Sequence, residues 1–117
     1  VTTPIIANLE KLLGGPRDGA LLRYSLGNEW LKTDEPARAA ACFREAVSRD
    51  PNYSAAWKLL GKALAESNAL PEALEAYRSG IAVSKAKGDL QAANEMGVFA
   101  RRIARQLGVA DSEAEDA

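Results

Sequence analysis

The stretch Ser54 to Leu64, SAAWKLLGKAL, carries a Leu–Gly pair, Leu60 and Gly61, that also occurs as Leu26 and Gly27 at a step of 34. A fixed period of that size implies a stack of one supersecondary unit, because a single unit cannot bury its apolar side alone. The chain is therefore expected to be a repeat protein. At 117 residues it forms one domain, long enough to bury roughly two thirds of the surface its unfolded chain exposes.

The spacing of apolar residues predicts about six helices. Thr3 and Pro4 supply an N-cap and a first-turn proline. Ile5, Ile6, Leu9, Leu12 and Leu13 then share one face of a helix over 4–14, which Gly14, Gly15 and Pro16 stop. A second helix starts at Asp18 or Gly19 and buries Leu22, Leu26, Trp30 and Leu31, and a third, over 37–49, buries Ala39, Ala40, Phe43, Ala46 and Val47. The fourth helix, from Ser54 to about Glu66, turns Ala56, Trp57, Leu60, Ala63 and Leu64 inward; the fifth, over 71–85, does so with Ala73, Leu74, Tyr77, Ile81 and Val83. Gly88 suits the left-handed residue after a helix and Asp89 the next N-cap. The sixth helix, 89–107, places Leu90, Ala93, Met96, Gly97, Ala100, Ile103, Ala104 and Leu107 on one face. No stretch alternates as a strand does, so the fold class is all-α.

Trp57, Leu60, Gly61 and Leu64, followed by Ala73, Tyr77 and Gly80, resemble the signature of the tetratricopeptide repeat, WxxLGxxY then AxxxF then a closing proline. The preceding unit matches through Leu26, Gly27, Trp30, Ala39, Phe43, Ala46 and Pro51. Arg23 stands in place of the Trp in the first unit; Leu64 replaces the aromatic and Lys85 the proline in the second. The resemblance implies a right-handed superhelical stack of antiparallel helix pairs. It divides residues 1–109 into an N-terminal helix (4–14), repeat 1 (20–53), repeat 2 (54–87) and a capping helix (89–107), while composition alone makes 110–117 a disordered acidic tail by expectation. Helices packed this closely need small residues at the approach, here Gly27, Gly61, Ala39 and Ala73, while Trp30, Phe43, Trp57 and Tyr77 fill the space between helices. A further step of 34 would bury Asn94 and Glu95, whereas a step of 36 brings Met96 and Gly97 into register. The second repeat is therefore expected to be two residues longer.

In proteins that this chain resembles, the first helix of each unit lines a concave groove that binds a peptide. The corresponding face presents Leu21, Tyr24, Ser25, Asn28, Leu31 and Lys32, then Ala55, Lys58, Leu59, Lys62, Ala65 and Glu66, then Gln91, Asn94, Val98, Arg101 and Arg102. This implies a non-catalytic protein-protein interaction module, with Tyr24 as the aromatic anchor and an acidic segment or a free carboxylate as a suitable ligand. The family's carboxylate clamp is not expected, because only Asn28 of its residues is present. The alternative is a self-associating structural subunit that uses its end helices, and the chain is expected to be a monomer or a weak homodimer.

Composition excludes other classes. Lys and Arg number 15 against 16 Asp and Glu, and residues 1–110 carry 15 basic against 12 acidic side chains. That balance gives no bulk drive toward nucleic acid or an anionic membrane. Histidine is absent and Cys42 is the single cysteine, so neither a disulfide within the chain nor a metal centre is expected. No glycine-rich phosphate loop or nucleophile with a base is evident, so no enzyme activity and no cofactor are expected. No apolar run spans a membrane, and the start lacks a signal-peptide pattern. A cytoplasmic setting follows as the expectation.

Overall fold

The computed structural model describes residues 2–110, which form six helices and no strand: α1 (Pro4–Glu10), α2 (Ala20–Lys32), α3 (Pro36–Arg49), α4 (Ser54–Glu66), α5 (Leu70–Ala86) and α6 (Leu90–Leu107). Each helix packs against its neighbour in the chain, and α4 also touches α2. The result is an elongated all-α helical repeat of 42 × 28 × 18 Å. The acidic tail lies outside the described residues apart from Ala110.

The joint within each helix pair is an aromatic ring laid over a glycine. A Cβ on Gly27 would stand 2.6 Å from Cε1 of Phe43, and one on Gly61 would stand 2.7 Å from Cε1 and Cζ of Tyr77. Glycine at these two places lets the ring of the second helix lie directly on the backbone of the first. Gly80 repeats the device between units, since Sδ of Met96 lies 2.5 Å from the position its Cβ would take. Around these joints Leu26, Phe43, Ala46, Ala56, Leu60, Ala63, Ala73, Ile81, Met96 and Ala100 are sealed from solvent in one continuous core.

Both hairpin turns use one local solution. Asp34 and Asn68 adopt φ of 57° and 62°, and the following amide N–H groups, of Glu35 and Ala69, donate back to the carbonyls of Trp30 and Leu64 at 2.9 and 2.8 Å. Such a reversal satisfies carbonyls that the helix end leaves orphaned. Gly88 ends α5 the same way, with φ of 79° and the Asp89 N–H donating to the Ser84 carbonyl at 2.8 Å. The Asp89 carboxylate then caps α6 by accepting from the Ala92 N–H at 3.1 Å. The step from the start of α2 to that of α4 is 34, and from α4 to α6 it is 36. The longer step reflects α5, which has 17 residues where α3 has 14.

Several apolar placements differ from the periodicity. The first helix ends at Glu10 rather than at residue 14, because residues 11–15 tighten into i→i+3 turns: the Leu12, Leu13 and Gly15 N–H groups donate to the carbonyls of Leu9, Glu10 and Leu12. That unwinding turns Leu13 outward, and Ile5 also faces solvent at 57 % exposure, leaving Ile6 as the buried contact of α1. Leu90 is 62 % exposed, since it lies on the outer side of the first turn of α6, whose inner side buries Ala93. Leu31, Val83 and Trp57 are only half-buried, and the Trp57 indole N–H donates to the Pro51 carbonyl at 2.7 Å.

Arg23, which stands in the place of the repeat's Trp, has a structural task. Its guanidinium donates through Nε and Nη2 to the two carboxylate oxygens of Asp18, both at 2.9 Å. Asp18 also accepts from the Gly14 N–H at 2.9 Å, and Arg49 at the end of α3 lies 3.7 Å away. One carboxylate thus ties the α1–α2 loop to the first repeat.

Two outcomes follow. Gly61→Leu drives the side chain into the Tyr77 ring and should cost about 3 kcal/mol by overpacking; a melting temperature equal to that of the parent would refute the joint. The hydrogen bonds from Arg23 and Gly14 hold the Asp18 carboxyl well below the usual carboxylate range. Below about pH 4 the unfolded chain therefore takes up a proton that the folded chain refuses, so this contribution is complete at neutral pH and fades on acidification. Asp18→Asn should lower the melting temperature at pH 7, and the gap from the parent should narrow toward pH 2. A gap that stays constant with pH would show that the carboxylate is not the tie.

Candidate functional site

A trough opens between α4 and α6, with α5 at its floor. Lys58, Leu59, Lys62, Ala65 and Glu66 of α4 form one wall, Phe99 of α6 the other, and Tyr77 of α5 the base of a cavity of about 500 Å³. A second cavity of about 310 Å³ shares Ala65, Glu66, Tyr77 and Phe99 and continues toward Asn68, Arg102 and Gln106. The two are therefore one trough crossing the Tyr77–Phe99 pair. Those rings stack with centroids 5.7 Å apart and planes 22° apart. Tyr77 is 3 % exposed, while Phe99 keeps 39 % of its surface in solvent.

The trough exists because the two inter-unit steps are filled differently. Between α2 and α4, Tyr24 packs against Tyr53 with centroids 4.9 Å apart and against Phe43 at 5.8 Å. One repeat step of 34 carries Tyr24 onto Lys58, and the residue preceding α6, in the place of Tyr53 before α4, is Asp89. At the second step neither of these two positions holds an aromatic. Lys58 instead bridges to Glu95 of α6, Nζ to Oε2 at 3.1 Å. An ion pair at the rim leaves open the space that two phenol rings would fill.

Among the side chains the sequence assigns to the groove, Lys58, Leu59, Lys62, Ala65 and Glu66 of α4 and Arg102 of α6 line this trough. Tyr24 is half-buried in its aromatic contacts, and Asn28 and Leu31, on the same helix, are half-buried as well. On α6, Asn94 and Val98 are exposed and Arg101 is half-buried. None of these six lines the trough. Phe99 is not among the groove residues expected from the sequence. Its signal there is that a step of 36 aligns this large aromatic with Ala63, which is fully buried.

The charge of the trough is mixed rather than basic. Lys58 is engaged by Glu95, and Glu66 stands on the same wall as Lys62. Burial, with Glu66 adding a smaller effect, pushes the Tyr77 phenol up to about 12, so its hydroxyl remains a donor throughout the physiological range. Cys42 is half-buried, and desolvation raises its thiol, which disfavours the reactive thiolate. No group of three metal-binding side chains occurs among the described residues, and none of their helices is long and apolar enough to cross a membrane.

Helix pairs of one pattern, stacked through glycine–aromatic joints and opening a trough on the side of their first helices, define a helical-repeat protein of the interaction-scaffold class. Comparison with known proteins agrees. A profile for the tetratricopeptide repeat matches residues 24–88. The TPR repeat-containing protein PA0015 of Pseudomonas aeruginosa is 44 % identical over 101 residues, covering 86 % of this chain and 96 % of its own length. The solution structure of protein BPP2914 from Bordetella parapertussis aligns with a TM-score of 0.74 at 37 % identity, over 90 % of this chain and 91 % of that one. A tetratricopeptide repeat domain protein from Salinibacter ruber aligns with a TM-score of 0.67 at 32 % identity, over 75 % of this chain and 88 % of that one. The chain belongs to the tetratricopeptide repeat family. A more local match, 34 % identical over 62 residues, joins 53 % of this chain to 11 % of the peroxisomal targeting signal receptor of Kluyveromyces lactis.

Proposed function

We propose that this protein is a non-catalytic binding module that receives a segment of a partner protein along the face lined by α2, α4 and α6. The observation that carries this reading is the open trough between α4 and α6, where a ring 39 % exposed to water flanks a cavity of about 500 Å³. An aromatic side chain held half in solvent beside a concavity gains by being covered, and repeat stacks offer their concave faces for such contacts. Lys58 and Lys62 lie at the mouth of this trough. Tyr24, Asn28 and Leu31 belong to the same surface one unit earlier, and Asn94, Val98 and Arg101 extend it along α6. An acidic segment suits Lys62, whereas the Lys58–Glu95 pair contributes little net charge.

A second reading has one observation in its favour. The end helices carry other exposed apolar side chains, Ile5 of α1 at 57 % and Leu90 of α6 at 62 %, which a second copy could cover.

Capture from a native lysate with the full chain as bait should yield a protein that a Lys58→Glu, Lys62→Glu double variant fails to hold. Retention by that variant, with loss instead on a Glu72→Lys, Glu75→Lys variant of α5, would move the binding surface off this face. Size exclusion with light scattering should return a mass near 12.5 kDa across concentration. A mass that climbs toward that of a dimer would favour the second reading.

A further inference from the structure

The Tyr77 hydroxyl has no role in holding the fold. The side chain is more than nine-tenths buried and forms part of the cavity wall, yet its hydroxyl makes no hydrogen bond with any described residue. Among the described residues the fully buried side-chain oxygen without a partner is Ser84 Oγ, so the Tyr77 hydroxyl opens to solvent at the cavity, where it is a donor available to a ligand. The equivalent position in the first unit, one repeat step earlier, is Phe43, which fills the joint over Gly27 with no hydroxyl. The ring alone is therefore sufficient for packing. What the second unit adds is a donor at the base of the trough, held protonated by its buried surroundings.

Two further features sit around that donor. Phe99 stacks on Tyr77 on one side and remains 39 % exposed, which makes it an apolar platform beside the hydroxyl. Lys62 and Arg102, which line the two connected cavities, form no ion pair among the described residues, while Glu66 is the single carboxylate lining either cavity. The uncompensated charge at the mouth is positive.

We propose that this trough is an anchor subsite for one aromatic or large aliphatic side chain of a partner peptide, packed on Phe99, with an adjacent Asp or Glu accepting from the Tyr77 hydroxyl and facing Lys62. The inference rests on the reading of this face as the binding surface and names the ligand chemistry that its α4–α6 end selects. An apolar side chain covers the exposed ring, and the carboxylate beside it meets both the unused donor and the unpaired ammonium. A peptide of basic residues is disfavoured by Lys62 and Arg102, and a purely acidic one leaves Phe99 uncovered.

The test is selection of a displayed random peptide library on the immobilised full chain, followed by calorimetric titration of an enriched peptide. The expected consensus pairs an aromatic or large aliphatic residue with a neighbouring Asp or Glu. Phe99→Ala should weaken binding by about tenfold or more, as loss of a central aromatic contact does. Tyr77→Phe, which keeps the ring over Gly61, should weaken it by roughly three- to tenfold, the effect of one hydrogen bond. Lys62→Glu, at an exposed side chain, leaves the core untouched, and circular dichroism checks the fold of all three variants. A consensus without an apolar residue overturns the subsite, as does binding that Asn28→Ala abolishes while Phe99→Ala and Tyr77→Phe leave it unchanged. Either of those results keeps the binding face and discards only the anchor. If no peptide is enriched, or if amide shifts of the bound chain are confined to α3 and α5, the proposed function falls and the subsite with it.

Discussion

The approach of an aromatic ring onto a bare glycine is the contact on which the rest of this fold depends. Phe43 over Gly27 and Tyr77 over Gly61 set how closely the two helices of a pair can lie. That distance decides which neighbouring side chains reach the core. Ala39 and Ala73 are fully buried beside the rings, and a bulkier residue there would push the second helix away. The stack is then carried forward by Met96 over Gly80, so each unit seats the next through a further glycine. Since packed interiors tolerate little extra volume, these few positions transmit their geometry along the chain.

On that frame the two inter-unit steps are filled differently. At the first step the Tyr24–Tyr53 pair closes the space over Phe43. At the second, the polar substitutes Lys58 and Asp89 leave the same region open, and the Lys58–Glu95 bridge spans only its rim. An exposed ion pair of this kind contributes about 0.2–1 kcal/mol, so it positions α6 against α4 weakly. The firmer hold on α6 comes from Met96, Ala100 and Ile103 packed in the core. The trough is therefore a gap in a rigid stack and needs no flexible element to form it.

Much of this is legible from spacing. Helix pairs, the two hairpin turns, the caps at Thr3 and Asp89 and the buried set of α3 all follow from periodicity and local hydrogen bonding, which act within one or two turns of chain. The exposure of Ile5, Leu13 and Leu90 does not follow, because periodicity shows which face is apolar and says nothing about whether a neighbour covers the first or last turn. Tyr24 illustrates the same limit at the candidate site. Its position on the first helix marks it for the groove, but its ring is shared with Tyr53, which lies beyond the whole of α3 at the head of α4. Phe99 lies beside the apolar stripe that Met96, Ala100 and Ile103 form on α6, and the ring it stacks on, Tyr77, belongs to another helix.

By itself the sequence determined the repeat, the all-α class, the family and the change of step from 34 to 36 before the last helix. These are written in local spacing and in glycines that admit no substitute. Only the tertiary structure decided where the stack stays open. That depended on whether side chains from separate helices meet, as Tyr24 and Tyr53 do, or leave a space between them, as Lys58 and Phe99 do. Meetings of that kind depend on how helices far apart in the chain are seated, and a periodicity of 3.6 carries no record of them.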